Sequence, residues 1–174
     1  DGLPALITRP CTVSGPRCTD GAGTACARRT SIGAVPGHGR RLLSNVRAVD
    51  VAAALEHLSL LEDEVVVGQA YNIADDSHPT LEEALVLAAE TFGGKPPKIH
   101  LPLGLVKAAA RVQGGLAALT KKVPDLEYDA VQYLYDDYVV DNTKLKETGY
   151  TFLFPDFRES MNQMKANETR NGKK

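Results

Sequence analysis

Three cysteines, four histidines, a tyrosine-rich final third and a few isolated acids are the residues of this chain whose types could carry chemistry. Cys11, Cys18 and Cys26 form no Cys-x-x-Cys pair and have no histidine at ligand spacing, so they do not compose a zinc set. They read as ordinary reduced thiols, and no metal is expected. His38, between two glycines in "PGHG", reads as an exposed turn residue or as a ligand contact, whereas His57 and His100 read as structural. Asp50 has the chemistry of a catalytic acid, but it heads the pattern "DVAAALEHL", where a helix N-cap is the expected role. Asn72 and Asp75 follow a strand pattern and either approach a ligand or close a turn. Tyr133, Tyr135 and Tyr138 form either core and rim or a clamp for a substrate. Arg28-Arg29 and Arg40-Arg41 read as basic crowding on a solvated surface, and the formal net charge is -2. A phosphate-tracking surface shows as a basic excess, so no nucleic-acid partner is expected.

The elements that must hold these residues are those of an α/β protein. With 174 residues, 43% of them hydrophobic, the chain suffices for one domain or part of a larger one. Residues 3–8 are an apolar, β-branched run that predicts a buried strand, halted by Arg9-Pro10 before a turn at Gly15-Pro16. Residues 18–34, "CTDGAGTACARRTSIGA", hold one large aliphatic residue and read as a loop, extended by the turn at residues 36–39. A helix is then predicted from Asp50, with Val51, Ala54, Leu55 and Leu58 on its apolar face, and a strand near residues 70–74. Strand, excursion, helix, strand is a parallel crossover.

The next helix is the best marked. Pro79 leads in, Thr80 and Glu83 have capping-box spacing, and Gly93-Gly94 stops it. A short strand around Ile99 and Leu101 follows, then a helix from Leu103 that is expected to break at Gly114-Gly115. Residues 138–140 predict a short strand, Asn142 or Thr143 a cap for a short helix closed by Gly149, and Phe157, Met161 and Met164 one face of a final helix. Residues 167–174 read as a disordered tail. No apolar run approaches the roughly 20 residues that cross a bilayer, and the start lacks the features of a signal peptide. A cytoplasmic protein without a membrane partner is expected.

In order, "RP…V.GP", "V..VDVA.AL", "YNI.D", "T..E", "I.LP" and "DNTKLKETGY" resemble the C-terminal half of the extended short-chain dehydrogenases/reductases, a group including NAD-dependent epimerases/dehydratases and 3-beta-hydroxysteroid dehydrogenase-like proteins. The resemblance covers roughly residues 2–16 and 45–164. It implies the last strands of a Rossmann-type parallel sheet over residues 1–94, with a low-complexity excursion at 18–44. A small substrate-binding region of helices and short strands follows at 95–166. The implied activity is NAD- or NADP-dependent oxidation, reduction or epimerisation at an alcohol or keto group of a steroid-like or sugar-like small molecule, in a protein that could form a homo-oligomer. The alternative is a binding or interaction module derived from that fold.

By the same resemblance, Pro10, Cys11, Thr12 and Val13 lie beside the nicotinamide. Relatives acting on nucleotide sugars place an arginine where this chain has Leu43; Arg41 and Arg47 stand nearby, and with Tyr135 they are the candidate substrate contacts. The family's Gly-rich phosphate turn and its catalytic Tyr-x-x-x-Lys occur nowhere in the sequence, since "GAVPGHG" lacks the spacing and no lysine lies four residues after a tyrosine. No residue of this chain is therefore assigned as catalytic, and the chain by itself is expected to be inactive.

Overall fold

The computed structural model describes residues 4–15, 34–120 and 136–171. The opening strand runs later than its apolar pattern predicts. β1 (Ile7–Pro10) pairs in parallel with β5 (Ala70–Ile73), and beyond Cys11 the chain continues as β2 (Thr12–Ser14), parallel to β4 (Asn45–Arg47). Arg9-Pro10 does not stop the strand. Ile7 N donates to Gln69 O at 2.8 Å and Cys11 N to Ile73 O at 3.0 Å. Alternate residues of a parallel strand face opposite edges, so Pro10 sits where an N–H would point away from β5, and its missing donor costs this ladder nothing. Burial is also corrected: β5 covers only one edge of β1, and Ile7 is 56% exposed.

The β1–β5 pairing is the parallel crossover that the strand–helix–strand order predicts. Two of its short strands carry no clear sequence signal. β4 is fully buried, and β3 (Ala34–Pro36), within the expected loop and turn, pairs in parallel with β6 (Ile99–Leu101). Their partners are remote in sequence, which is why local pattern does not find them.

α1 (Ala48–Ser59) has Arg47, not Asp50, at its N-cap. Asp50 lies inside the first turn, fully buried, and its Oδ1 accepts from Leu153 N at 2.6 Å and from the Tyr150 hydroxyl at 3.4 Å. The acid is thus a clasp between α1 and the segment a hundred residues later. A short α2 (Asp63–Val66) leads to β5. α3 (Leu81–Phe92) keeps its capping box: Glu83 N donates to Thr80 Oγ1 at 3.2 Å and Thr80 N to Glu83 Oε2 at 2.8 Å. Gly93 ends it at φ 75°. Leu81 N and Glu82 N donate to Arg41 O and Gly39 O, so the loop before β4 completes the helix's first turn.

α4 (Leu103–Thr120) runs unbroken through Gly114-Gly115. Glycine keeps its N–H, so it weakens a helix by about 1 kcal/mol without removing a bond. Residues 138–140 form no strand. Tyr138 N donates to Leu42 O, but Val140 N donates to the Ser44 hydroxyl, and side-chain bonding replaces a ladder. α5 (Thr143–Glu147) has Asn142 at its N-cap as expected, but the side-chain amide makes no capping bond and reaches Ala74 O at 2.9 Å and Asp76 Oδ1 at 2.7 Å. α6 (Phe157–Asn171) extends into the stretch expected to be a disordered tail. Two cores result. One gathers Val46, Leu58, Ile73 and Phe152 around the paired strands; the other sets Val35, Leu81 and Leu85 against Phe157, Met161 and Met164.

Candidate functional site

The polypeptide changes partner at Cys11. There β1 leaves β5 and β2 joins β4, and Asp75 N donates to Asn45 O at 2.8 Å, closing the gap between the end of β5 and the start of β4. This junction lies at the C-terminal end of the β1–β5 pair, where open parallel sheets present their ligand crevices. It brings together residues 10–13, Asn45 and Asp75.

The residues predicted to line a nicotinamide pocket are placed unequally. Pro10 is exposed, Thr12 and Val13 are half-buried, and Cys11 is buried in the strand core with Val46, Ala54 and Leu58. Burial, with the negative charge of Asp75 nearby, pushes the Cys11 thiol up to about 12. Its side chain is a packing group, and its amide is already committed to Ile73. Asp75 is 2% exposed; burial pushes its carboxyl up to about 7, opposed by Oδ1 accepting from Ser77 N at 3.1 Å and Ser77 Oγ at 3.0 Å. Ser77 Oγ in turn accepts from Phe157 N at 2.9 Å, which ties β5 to the start of α6. Asn72 donates from its side chain to Asp141 O, a bond between segments.

The two arginines differ in their commitments. Arg47 is buried, its Nη1 donates to Ser160 O at 2.8 Å, and its guanidinium lies 4.7 Å from the centre of the Phe154 ring. It pins α6 to β4, and burial lowers its pKa while Asp50 opposes the shift. Arg41 is 7% exposed, yet its Nε and Nη1 have no acceptor among the described residues. Burial lowers its pKa and the Asp137 carboxylate opposes the change. Asn45 Nδ2 is likewise buried without an acceptor among the described residues, and sequence pattern gave it no role. Tyr135 and Tyr133 lie outside the described residues, as do Cys18 and Cys26.

His57 donates to or accepts from Thr148 Oγ1 at 2.9 Å, and His100 stands 3.3 Å from Glu82, both structural contacts as expected. His38 Nδ1 accepts from Arg40 N within its turn. That turn is no phosphate cradle. A Cβ on Gly39, at φ 71°, would lie 2.8 Å from Val35 Cγ1, and one on Gly37 3.1 Å from Leu103 Cγ, so side chains already fill the space. An open pocket of about 300 Å³ between α3 and α6 is lined by Ser77, His78, Glu83, Asp156 and Arg158. Its acids are committed to the first turns of α3 and α6. Among the described residues no group of three or more His, Cys, Asp or Glu could hold a metal ion, and no helix is long and apolar enough to cross a membrane.

No protein-family model and no curated protein matches the chain. Solved structures do. The human epimerase family protein SDR39U1 (isoform 2), solved with NADPH, is 21% identical with a TM-score of 0.67, covering 92% of this chain and 48% of its own. UDP-glucose 4-epimerase of Thermotoga maritima, solved with UDP-glucose, is 16% identical at a TM-score of 0.63, over 97% and 46%. dTDP-glucose 4,6-dehydratase of Bacillus anthracis, solved with NAD, is 15% identical at 0.63, over 98% and 46%. The chain spans about half the length of the structures it matches. At these identities the likeness is one of fold: the chain has the α/β architecture of the C-terminal half of Rossmann-type epimerase and dehydratase structures.

Proposed function

We propose that the chain is the substrate-facing half of an NAD- or NADP-dependent oxidoreductase or epimerase of the extended short-chain dehydrogenase type, acting on an alcohol or keto group of a steroid-like or sugar-like small molecule. The observation that carries this reading is the change of strand partner at Cys11. It sets half-buried Thr12 and Val13 at the C-terminal end of the β1–β5 pair, where open parallel sheets present their ligand crevices, in a fold shared with proteins solved with NADPH and with NAD.

The cofactor fits this chain at its nicotinamide end only. The resemblance assigns the carboxamide to residues 10–13, of which Thr12 and Val13 lie half-buried beside the junction and Pro10 gives an exposed rim, while Cys11 acts by anchoring the junction in the core. When bound, the nicotinamide supplies hydride transfer. Pyrophosphate has no matching cradle, because the one Gly-rich turn among the described residues is packed against side chains. Arg41 and Asn45, with buried donors lacking acceptors, suit an anionic or carbonyl-bearing substrate. Arg47 serves that role by holding α6 in place, and Tyr135 is retained as a substrate contact. A homo-oligomer in the cytoplasm belongs to the same reading. The second reading, a binding or interaction module without turnover, is favoured by the absence of any Tyr-x-x-x-Lys from the sequence.

Titration of the 15N-labelled chain with nicotinamide mononucleotide tests the reading. Amide shifts centred on Thr12 and Val13, weak but saturable, are expected. Shifts elsewhere, or none at millimolar ligand, would leave the interaction module as the better account.

A further inference from the structure

The end of β5 and the start of α6 are joined by a short relay. Asp75 Oδ1 accepts from the Ser77 hydroxyl at 3.0 Å, and Ser77 Oγ accepts from Phe157 N at 2.9 Å. Phe157 N is one of the first-turn amides that α6 itself cannot satisfy. Beside the relay, Asp76 N donates to Pro155 O at 3.0 Å, so the two segments meet through neighbouring residues. The Phe157 ring is buried with Leu81 and Leu85, and the relay thus sets where the helix begins.

Charge makes this seat conditional. Around the Asp75 carboxyl stand Cys11 from the strand junction, Asp76 and His78 from its own loop, Lys146 from α5, Glu83 from α3, and Asp156 and Arg158 from the start of α6; β4 meets it through the neutral Asn45. Lys146 is committed to Asp76, donating to both of its carboxylate oxygens at 3.0 Å. Glu83 is held by Thr80, and Asp156 Oδ1 caps α6 by accepting from Arg158 N and Glu159 N. The charges that bear on Asp75 are those of Asp156 and Asp76, both of its own sign. A neutral carboxyl suits such a site, whereas an ionised one is out of water without a cation. The open pocket of about 300 Å³ lined by Ser77, Asp156 and Phe157 brings solvent up to the relay, so a small displacement of residues 155–157 is enough to hydrate the carboxylate. We propose that Asp75, Ser77 and Phe157 form a pH-sensitive latch, closed on α6 while Asp75 is protonated and opening locally when it ionises. Burial pushes the carboxyl up to about 7, which puts the change near neutrality, with the latch loosening as pH rises.

Amide hydrogen exchange of the 15N-labelled chain, corrected for the intrinsic rise of exchange with pH, reads the latch. The Phe157 and Ser160 amides should exchange through an opening that low urea leaves unchanged, the mark of a local event. With the closed carboxyl at about 7 and a solvated one near 3.9, that opening should become about tenfold more frequent between pH 6 and pH 8.5. In Asp75→Asn this pH dependence should vanish. The carboxyl carbon shift of Asp75 in the wild type should follow the same midpoint as the exchange, which tests the latch without the variant. Exchange of these amides through urea-sensitive global unfolding alone, or a local opening independent of pH, would overturn the proposal. So would a pH dependence that survives in Asp75→Asn, or an Asp75 titration in the ordinary carboxylate range.

Discussion

Asp75→Asn should stabilise the protein at alkaline pH and leave it almost unchanged in acid. The carboxyl is 2% exposed, and burial, with Asp156 and Asp76 adding negative charge, pushes it up to about 7 against the bonds from Ser77. An unfolded aspartate titrates near 3.9, so between about 4 and about 7 the folded chain holds a proton that the unfolded chain has released. The folded pKa is the higher one. The stabilisation is therefore complete below about 4 and is lost as pH rises through about 7. At about 1.36 kcal/mol per pH unit, the loss amounts to roughly 4 kcal/mol, a large share of the 5–15 kcal/mol typical of a folded domain. Asparagine keeps an acceptor for Ser77 and cannot ionise. In urea unfolding the variant should match wild type near pH 4 and exceed it by on the order of 4 kcal/mol near pH 8.5. The difference between the two proteins isolates this group from other titrations. A difference that is constant across that range would refute the reasoning, since it would mean that Asp75 is ionised throughout.

Asp50→Ala should cost about 2–3 kcal/mol in urea unfolding, because it empties a fully buried site and leaves the Leu153 amide without its acceptor and the Tyr150 hydroxyl with fewer partners; a loss near 1 kcal/mol would return Asp50 to a capping role. Thr80→Ala removes the capping box of α3 and should cost about 1 kcal/mol by the same measurement. Cys11, in a variant with serine at positions 18 and 26, should react with a thiol reagent at neutral pH no faster than the protein unfolds, given its burial and raised pKa; rapid labelling of the folded protein would place it at an open site. Cys11→Trp should likewise lower the thermal midpoint sharply, since the thiol packs among Val46, Ala54 and Leu58.

What was legible in the sequence was whatever a few neighbouring residues decide. Thr80, Glu83 and Gly93 fix both ends of α3 within a turn of themselves, and Phe157, Met161 and Met164 define the buried face of α6 by spacing alone. The parallel crossover from β1 to β5 also followed from element order. Distant partners defeated local reading. Asp50 was assigned to a cap because its acceptor role involves Tyr150 and Leu153; Asn142 does hold the N-cap position of α5, but its amide is drawn to Ala74 and Asp76. Pro10 was read as a stop, though only the edge it faces makes it tolerable. Resemblance placed Cys11 at the candidate site, but not the direction of its side chain; Asn45 had no signal, because an unpaired buried amide is visible only after folding.

The central claim is that this chain meets a nicotinamide dinucleotide at the nicotinamide end and not at the adenosine end. Saturation-transfer NMR on the chain with NAD reads that directly: methyl groups of the protein are irradiated and the ligand protons that gain saturation are identified. The account predicts transfer to the nicotinamide ring protons well above that to the adenine protons, with affinity weaker than low micromolar. Transfer concentrated on adenine, or tight saturable binding of the whole dinucleotide, would contradict it.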